Sequence, residues 1–238
     1  MAANLEARIW AVMGASGVGK GLWIKQQLGR DRPRRLVVWD FMDEYGDFAQ
    51  AVSSLPAMHA LMLKHRKGPL ALRYVPRGAG AKAIRKEFEL ICEMVYAWGN
   101  CTFVAEELGN VTTASWAPAA WRKMTTSGRH QAVHIIGTSQ TPALIDKTFL
   151  GNCTLVHVCA LREHPHRQCV ARAIDVPIER ITALQKFQFL ERDHNAGTLR
   201  EAWVKVPGAP SVATPTGSDA AQSRQGKAAK SPMKARAK

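Results

Sequence analysis

The chain has 238 residues, 46% of them hydrophobic, which suits one α/β domain of ordinary size with a tail, or at most two small domains, and excludes a chain too polar to build a core. No run of about 18 or more apolar residues occurs, so no transmembrane helix is expected. The formal net charge of +14 raises the local concentration of polyanions and points to nucleic acid as a partner, the alternative being a solvated basic face with no specific partner.

The first residues, Met1 to Glu6, lack the basic, apolar and cleavage regions of a secretory signal. The five cysteines form no CxxC pair and are odd in number, as expected of reduced cytoplasmic thiols rather than a disulfide frame or a zinc site. The expected location is therefore the cytoplasm.

Arg8-Ile9-Trp10-Ala11-Val12-Met13 reads as a buried parallel strand that stops at a glycine-rich turn. Apolar residues at helical spacing then run from Gly21 to Leu28, and Gly29 closes that helix. Leu36 to Trp39 predicts a second strand ending on Asp40, and Pro56 to Lys64 a helix. Leu70 to Val75 predicts a third strand, closed by Pro76 and Gly78. Ala83 to Trp98 carries Ile84, Phe88, Ile91, Val95 and Trp98 on one helical face. Cys101 to Ala105 is a fourth predicted strand, ending in Glu106-Glu107; a helix is expected over Ala117 to Ser127. Val133 to Thr138 is a fifth strand, followed by Ser139-Gln140, and Thr154 to Cys159 a sixth. Two short helices, His166 to Ile174 and Pro177 to Leu184, precede a hairpin of Phe187 to Glu191 and Leu199 to Val206 turning at Asn195-Ala196-Gly197. Residues 208–238 turn to Ala, Ser, Pro, Gly and Lys with no aromatic residue, which predicts a disordered basic tail after a folded domain of residues 1–207.

Alternating strands and helices predict a three-layer α/β sandwich around a mainly parallel sheet, with a C-terminal hairpin. Ligands of such sheets bind beyond the carboxyl ends of the strands, where Gly14 to Lys20, Asp40, Glu106, Glu107 and Gln140 would gather.

Gly14-Ala15-Ser16-Gly17-Val18-Gly19-Lys20 follows a strand and opens a helix, the context of a phosphate-binding P-loop (Walker A). Its backbone N–H groups would form an anion nest and Lys20 would add a positive charge at the β- and γ-phosphates. The expected nucleotide-binding stretch is completed by Gly21 and Leu22. Position 21 is a departure, because a Ser or Thr hydroxyl normally holds Mg²⁺ there; a metal would need water, Ser16 or a carboxylate instead. Glu106-Glu107 at a strand end has the pattern of a Walker B motif. Glu106 would orient the Mg²⁺ shell, and Glu107 would polarise the attacking water. Gln140 would sense the γ-phosphate or hold that water.

The loop Ser16 to Gly21 partly resembles that of guanylate and adenylate kinases, although leucine stands at position 22 where they carry threonine. In order and spacing the motifs resemble the FtsK/HerA superfamily of ring-forming DNA motors over residues 8–190. Asp40-Phe41-Met42-Asp43-Glu44-Tyr45 looks like that group's acidic turn, Gly128-Arg129-His130 like its arginine-finger position, and Thr138 to Pro142 like its sensor. The resemblance implies a RecA-like ASCE fold and a hexameric ring that hydrolyses ATP with Mg²⁺ to move double-stranded DNA. Arg129, with Arg122 as its rival, would reach the neighbour's site, where such a finger is worth roughly 10³–10⁵ in rate. In its small size and missing membrane segment the chain looks most like the genome-packaging ATPases of tailless, membrane-containing icosahedral phages, which implies capsid or vertex partners and virion association. A nucleoside monophosphate kinase, or a DNA-binding assembly protein with a degenerate P-loop, remain the alternatives.

Overall fold

A computed structural model describes residues 6–208; the expected basic tail lies, beyond Gly208, outside the described residues. Nine strands form one sheet: β1 (Arg8–Met13), β2 (Arg35–Trp39), β3 (Gln50–Ala51), β4 (Leu70–Tyr74), β5 (Cys101–Ala105), β6 (Val133–Ser139), β7 (Leu155–Cys159), β8 (Gln188–Asp193) and β9 (Thr198–Trp203). The spatial order is β3-β4-β2-β5-β6-β1-β7-β8-β9. Pairing is parallel from β3 to β7 and antiparallel across β7-β8-β9.

Strand periodicity sends alternate residues to opposite faces, and both faces are covered. Ile9, Ala11, Met13, Val37, Trp39, Phe103 and Ile135 join one apolar core, with Phe88 and Ile91 of α3 (Ala81–Trp98) and Trp121 of α4 (Ala119–Ser127). Val12, Leu36, Val38, Val104 and Ile136 join the other, with Trp23, Ile24 and Leu28 of α1 (Lys20–Asp31). This double burial explains why β2, β5 and β6 show no regular alternation of apolar and polar residues: every one of their residues is buried. Helix α2 (Leu55–Lys64) starts at Ser54, whose hydroxyl accepts the Ala57 N–H at 3.3 Å.

The expected three-layer fold is borne out. Two elements were not expected. Strand β3 has only two residues, both exposed, and offers no apolar pattern to read. Helix α5 (Lys147–Gly151) is a single turn nucleated by the Asp146 carboxylate, which accepts the Thr148 N–H at 3.0 Å. Helices α6 (His164–Ala173) and α7 (Ile178–Thr182) lead to the hairpin, where Gly197 takes the left-handed conformation of the turn. Among the described residues no helix is long and apolar enough to cross a membrane.

Candidate nucleotide site

The glycine-rich loop spans the gap between β1 and α1. Its base is tied to both neighbouring strands: Gly14 N–H donates to the Ser139 carbonyl at 3.2 Å, and Ala15 N–H to the Ala160 carbonyl at 2.9 Å. Gly17 and Gly19 adopt positive φ angles of 73° and 111°, which side chains strain to reach. Gly14 is required for a different reason. A Cβ there would lie 2.8 Å from the Cβ of Cys159, so the loop rests directly on the end of β7. Ser16 and Gly17 are exposed at its rim, Val18 is half-buried, and Leu22 packs half-buried against the α1 core.

Lys20 folds back over this loop, its Nζ donating to the carbonyls of Gly14 at 2.7 Å and Ala15 at 2.9 Å. Burial lowers its pKa, opposed by Glu107, Cys159, Glu106 and Glu44. Those carboxylates converge on the lysine from two other strands.

Strand β6 lies between β1 and β5, and its last residues contact both. The Glu107 N–H donates to the Thr138 hydroxyl at 3.1 Å, and the Gln140 Nε2 donates to Glu107 Oε1 at 3.0 Å. Glu107 sits at φ 48°, a left-handed conformation unusual for glutamate and frequent at functional sites. The two predicted catalytic side chains are thus in direct contact.

Glu106 is almost fully buried, and its Oε2 has no hydrogen-bond partner. Burial, with Asp40 and Glu44 nearby, raises its pKa to about 7, against the Tyr45 hydroxyl and the Met42 backbone. Tyr45 is itself buried, and its hydroxyl lacks a well-formed partner while facing Glu106; burial, then Glu106, pushes its pKa well up. A buried carboxylate with a spare oxygen suits a cation, which would favour its ionised form. Among the described residues no group of three His, Cys, Asp or Glu forms a complete metal site, so Mg²⁺ would bind together with nucleotide phosphates.

Asp40 is fully buried and holds the acidic turn. Its Oδ1 accepts the Glu44 N–H at 2.8 Å; its Oδ2 accepts the Tyr45 N–H and the Arg73 guanidinium, both at 3.0 Å.

Arg129 does not join this cluster. It is exposed on a short helical turn, Gly128–Gln131, at the amino end of β6, whereas the site lies at the carboxyl end. Arg122 is also exposed on α4, donating to the Ser115 carbonyl at 3.1 Å.

Several contributors had no sequence signal. Phe187 and Val204, at the base of the hairpin, pack over Gly19: a Cβ there would meet them at 3.0 and 3.3 Å. The Phe187 N–H donates to the Val18 carbonyl at 3.2 Å. Beneath the loop, the buried His157 contacts Glu191 of β8 through Nδ1 at 3.0 Å, and Arg200 of β9 holds the same carboxylate at 2.6 Å. Burial would raise the Glu191 pKa, but His157 and Arg200 outweigh it and the net shift is downward. The hairpin is thereby anchored to the floor of the cradle.

A phosphate loop between β1 and α1, separated from the acidic strand by one inserted strand, defines a P-loop NTPase fold of the ASCE type. The relatives agree. The chain is similar to the genome packaging NTPase B204 from Sulfolobus turreted icosahedral virus 2, solved in complex with AMPPCP, with a TM-score of 0.68 and 16% identity over 84% of this chain and 98% of that one. It is similar in fold to VirB4 of Thermoanaerobacter pseudethanolicus (TM-score 0.61, 10% identity, 85% and 90% covered) and to the bacterial conjugative coupling protein TrwBdeltaN70 (TM-score 0.60, 10% identity, 86% of each chain). In sequence it is 26% identical over 180 residues to Protein P9 of Pseudoalteromonas phage PM2, covering 73% of this chain and 78% of that protein. No family model matches. The resemblance expected from the motifs is met by these neighbours.

Proposed function

We propose that the chain is the ATP-hydrolysing subunit of a motor that moves double-stranded DNA into a viral capsid. The observation that carries this reading is the Glu107–Gln140 hydrogen bond at 3.0 Å, in a cluster with Lys20 of the phosphate cradle. A carboxylate held by a neutral amide can position and deprotonate a water, while Lys20 and the loop N–H groups stabilise charge on the phosphates. Glu106 would take part in holding Mg²⁺, which when bound would supply positive charge against the phosphates. The fold shared with a viral genome packaging NTPase and with a bacterial conjugative coupling protein supports the DNA-moving role, as does the net charge of +14.

In this reading the subunits form a homo-oligomeric ring of six, with Arg129 completing the neighbour's site. The motor acts in the host cytoplasm or at the virion, against capsid or vertex proteins. The test is phosphate release from ATP with and without long duplex DNA. Stimulation by duplex, abolished by Glu107→Gln with ATP binding retained, is the expected result. Phosphate transfer to a nucleoside monophosphate would identify a kinase instead, and turnover unchanged by Glu107→Gln would refute the assignment of the base.

A further inference from the structure

Gly21 removes the hydroxyl that normally meets the cation at this point of a P-loop. A carboxylate from another part of the chain stands at that place. Glu44 Oε2 lies 3.5 Å from where a Cβ on Gly21 would be, so it borders the volume into which a serine or threonine hydroxyl would project one bond further out. We propose that Glu44 is the protein ligand for the nucleotide's Mg²⁺, replacing the absent hydroxyl, and that the unpartnered Glu106 Oε2 receives the cation's water shell. The inference rests on the nucleotide site described above and deepens it.

Four features of the acidic turn support this assignment. The turn is rigid where it needs to be: both Asp40 oxygens are occupied by the Glu44 and Tyr45 N–H groups and by Arg73, so Asp40 is scaffold and not ligand. Glu44 is spare by comparison. Its ion pair with Lys25 is long, at 3.4 Å, and its side chain is 51% exposed, the kind of contact that contributes little and yields easily to a divalent cation. Across from it, Glu106 is only 7% exposed and keeps one oxygen without any partner. Finally, Glu44 and Glu106 both lie near enough to Lys20 to oppose the lowering of its pKa by burial. Mg²⁺ is ordinarily held by one or two carboxylates plus phosphate oxygens and water, which is the set that would gather here.

The test is equilibrium binding of a non-hydrolysable ATP analogue to the full chain, in Mg²⁺ and in EDTA. Glu44→Gln is expected to bind the analogue in EDTA as the parent does and to lose at least about tenfold of the tightening given by Mg²⁺. Gly21→Ser added to Glu44→Gln should restore it by returning the hydroxyl. With Mn²⁺ in place of Mg²⁺, line broadening by ¹⁷O-water should report one more bound water in Glu44→Gln than in the parent. Lys25→Met, which removes the ion pair alone, should keep the full metal effect. Equal metal dependence in the parent and Glu44→Gln, or an equal loss in Lys25→Met, would overturn the role of Glu44 and leave the nucleotide site standing. Failure of the parent chain to bind the analogue with or without metal would overturn both.

Discussion

Gly137→Ala is a sharp test of how Glu107, the proposed base, is held. Gly137 lies in β6 opposite Ala11 and Ala105, on the face covered by the larger core. A Cβ there would lie 2.6 Å from Phe149 Cζ, 3.1 Å from Phe149 Cε2 and 2.8 Å from Leu108 Cδ1. Neither neighbour can withdraw cheaply: both are fully buried, and Phe149 packs on Trp121 with ring centroids 5.3 Å apart. Overpacking of this kind costs about 1–3 kcal/mol. For a chain of this size each kcal/mol lowers Tm by about 2–4 °C, so a fall of about 2–12 °C is expected. The residue that must move, Leu108, follows Glu107 directly, and Thr138, which accepts the Glu107 N–H, follows Gly137. Turnover should therefore fall by more than nucleotide affinity, because the loop itself is tied through Ser139 and Ala160. Thermal melts, a turnover assay and nucleotide titration on one preparation separate these effects. A Tm within about 1 °C of the parent together with unchanged turnover would refute the packing argument.

Three further outcomes follow from the geometry. His134 is buried against the edge of Trp10, its Nε2 without a partner; burial, with Arg8 nearby, lowers its pKa to about 3. The unfolded chain takes up that proton near pH 6.5, so the contribution is complete above pH 6.5 and is lost as pH falls toward 3, by about 1.36 kcal/mol per pH unit. Urea unfolding of His134→Leu should show a slope of stability against pH shallower by one proton between pH 6 and 4 (approximate limits); an unchanged slope would count against a neutral His134. Phe187→Ala strips the cover from Gly19 and should weaken ATP binding by about 1 kcal/mol, roughly fivefold in Kd; equal affinity would mean that the hairpin base does not organise the loop. Arg129→Ala should lose roughly 10³-fold in turnover, and mixing it with Glu107→Gln subunits should restore part of the activity if the arginine acts across a subunit boundary. An Arg129→Ala chain as active as the parent would exclude it as the finger.

The fold was legible because its strands are buried on both faces and end on residues of distinct chemistry. Apolar runs such as Leu36 to Trp39 and Cys101 to Ala105 leave few other readings, and Gly14 to Lys20 fixes which strand feeds the phosphate loop. What stayed hidden depends on strand order. Glu107 and Gln140 are 33 residues apart, and only the adjacency of β5 and β6 turns two motifs into one hydrogen bond. The partnership of Gly21 with Glu44 is of the same kind: an absent hydroxyl is visible in the sequence, but not the carboxylate beside it. Phe187 carries no mark at all, because its positive φ of 66° and its contact with Gly19 are consequences of the hairpin's docking on β7.

Strand β6 is where the phosphate cradle and the proposed base, Glu107, are joined. Its last two residues and Gln140 just after them make three contacts in succession: the Thr138 hydroxyl takes the Glu107 N–H, the Ser139 carbonyl takes the Gly14 N–H, and the Gln140 amide holds the Glu107 carboxylate. Lys20 meanwhile is bound to carbonyls of the loop it serves. A triphosphate in the cradle would compete for that ammonium, and the Gly14 and Ala15 carbonyls would lose their donor. Gly14 can respond only within the limits set by Cys159 beneath it and by Ser139 beside it. Any shift of the loop would therefore be felt at the ends of both β6 and β7, and β6 also carries the Thr138 contact with Glu107. In the proposed reading, the placement of the Glu107 base is thereby tied to the presence of phosphate, as a motor that must not hydrolyse out of step requires.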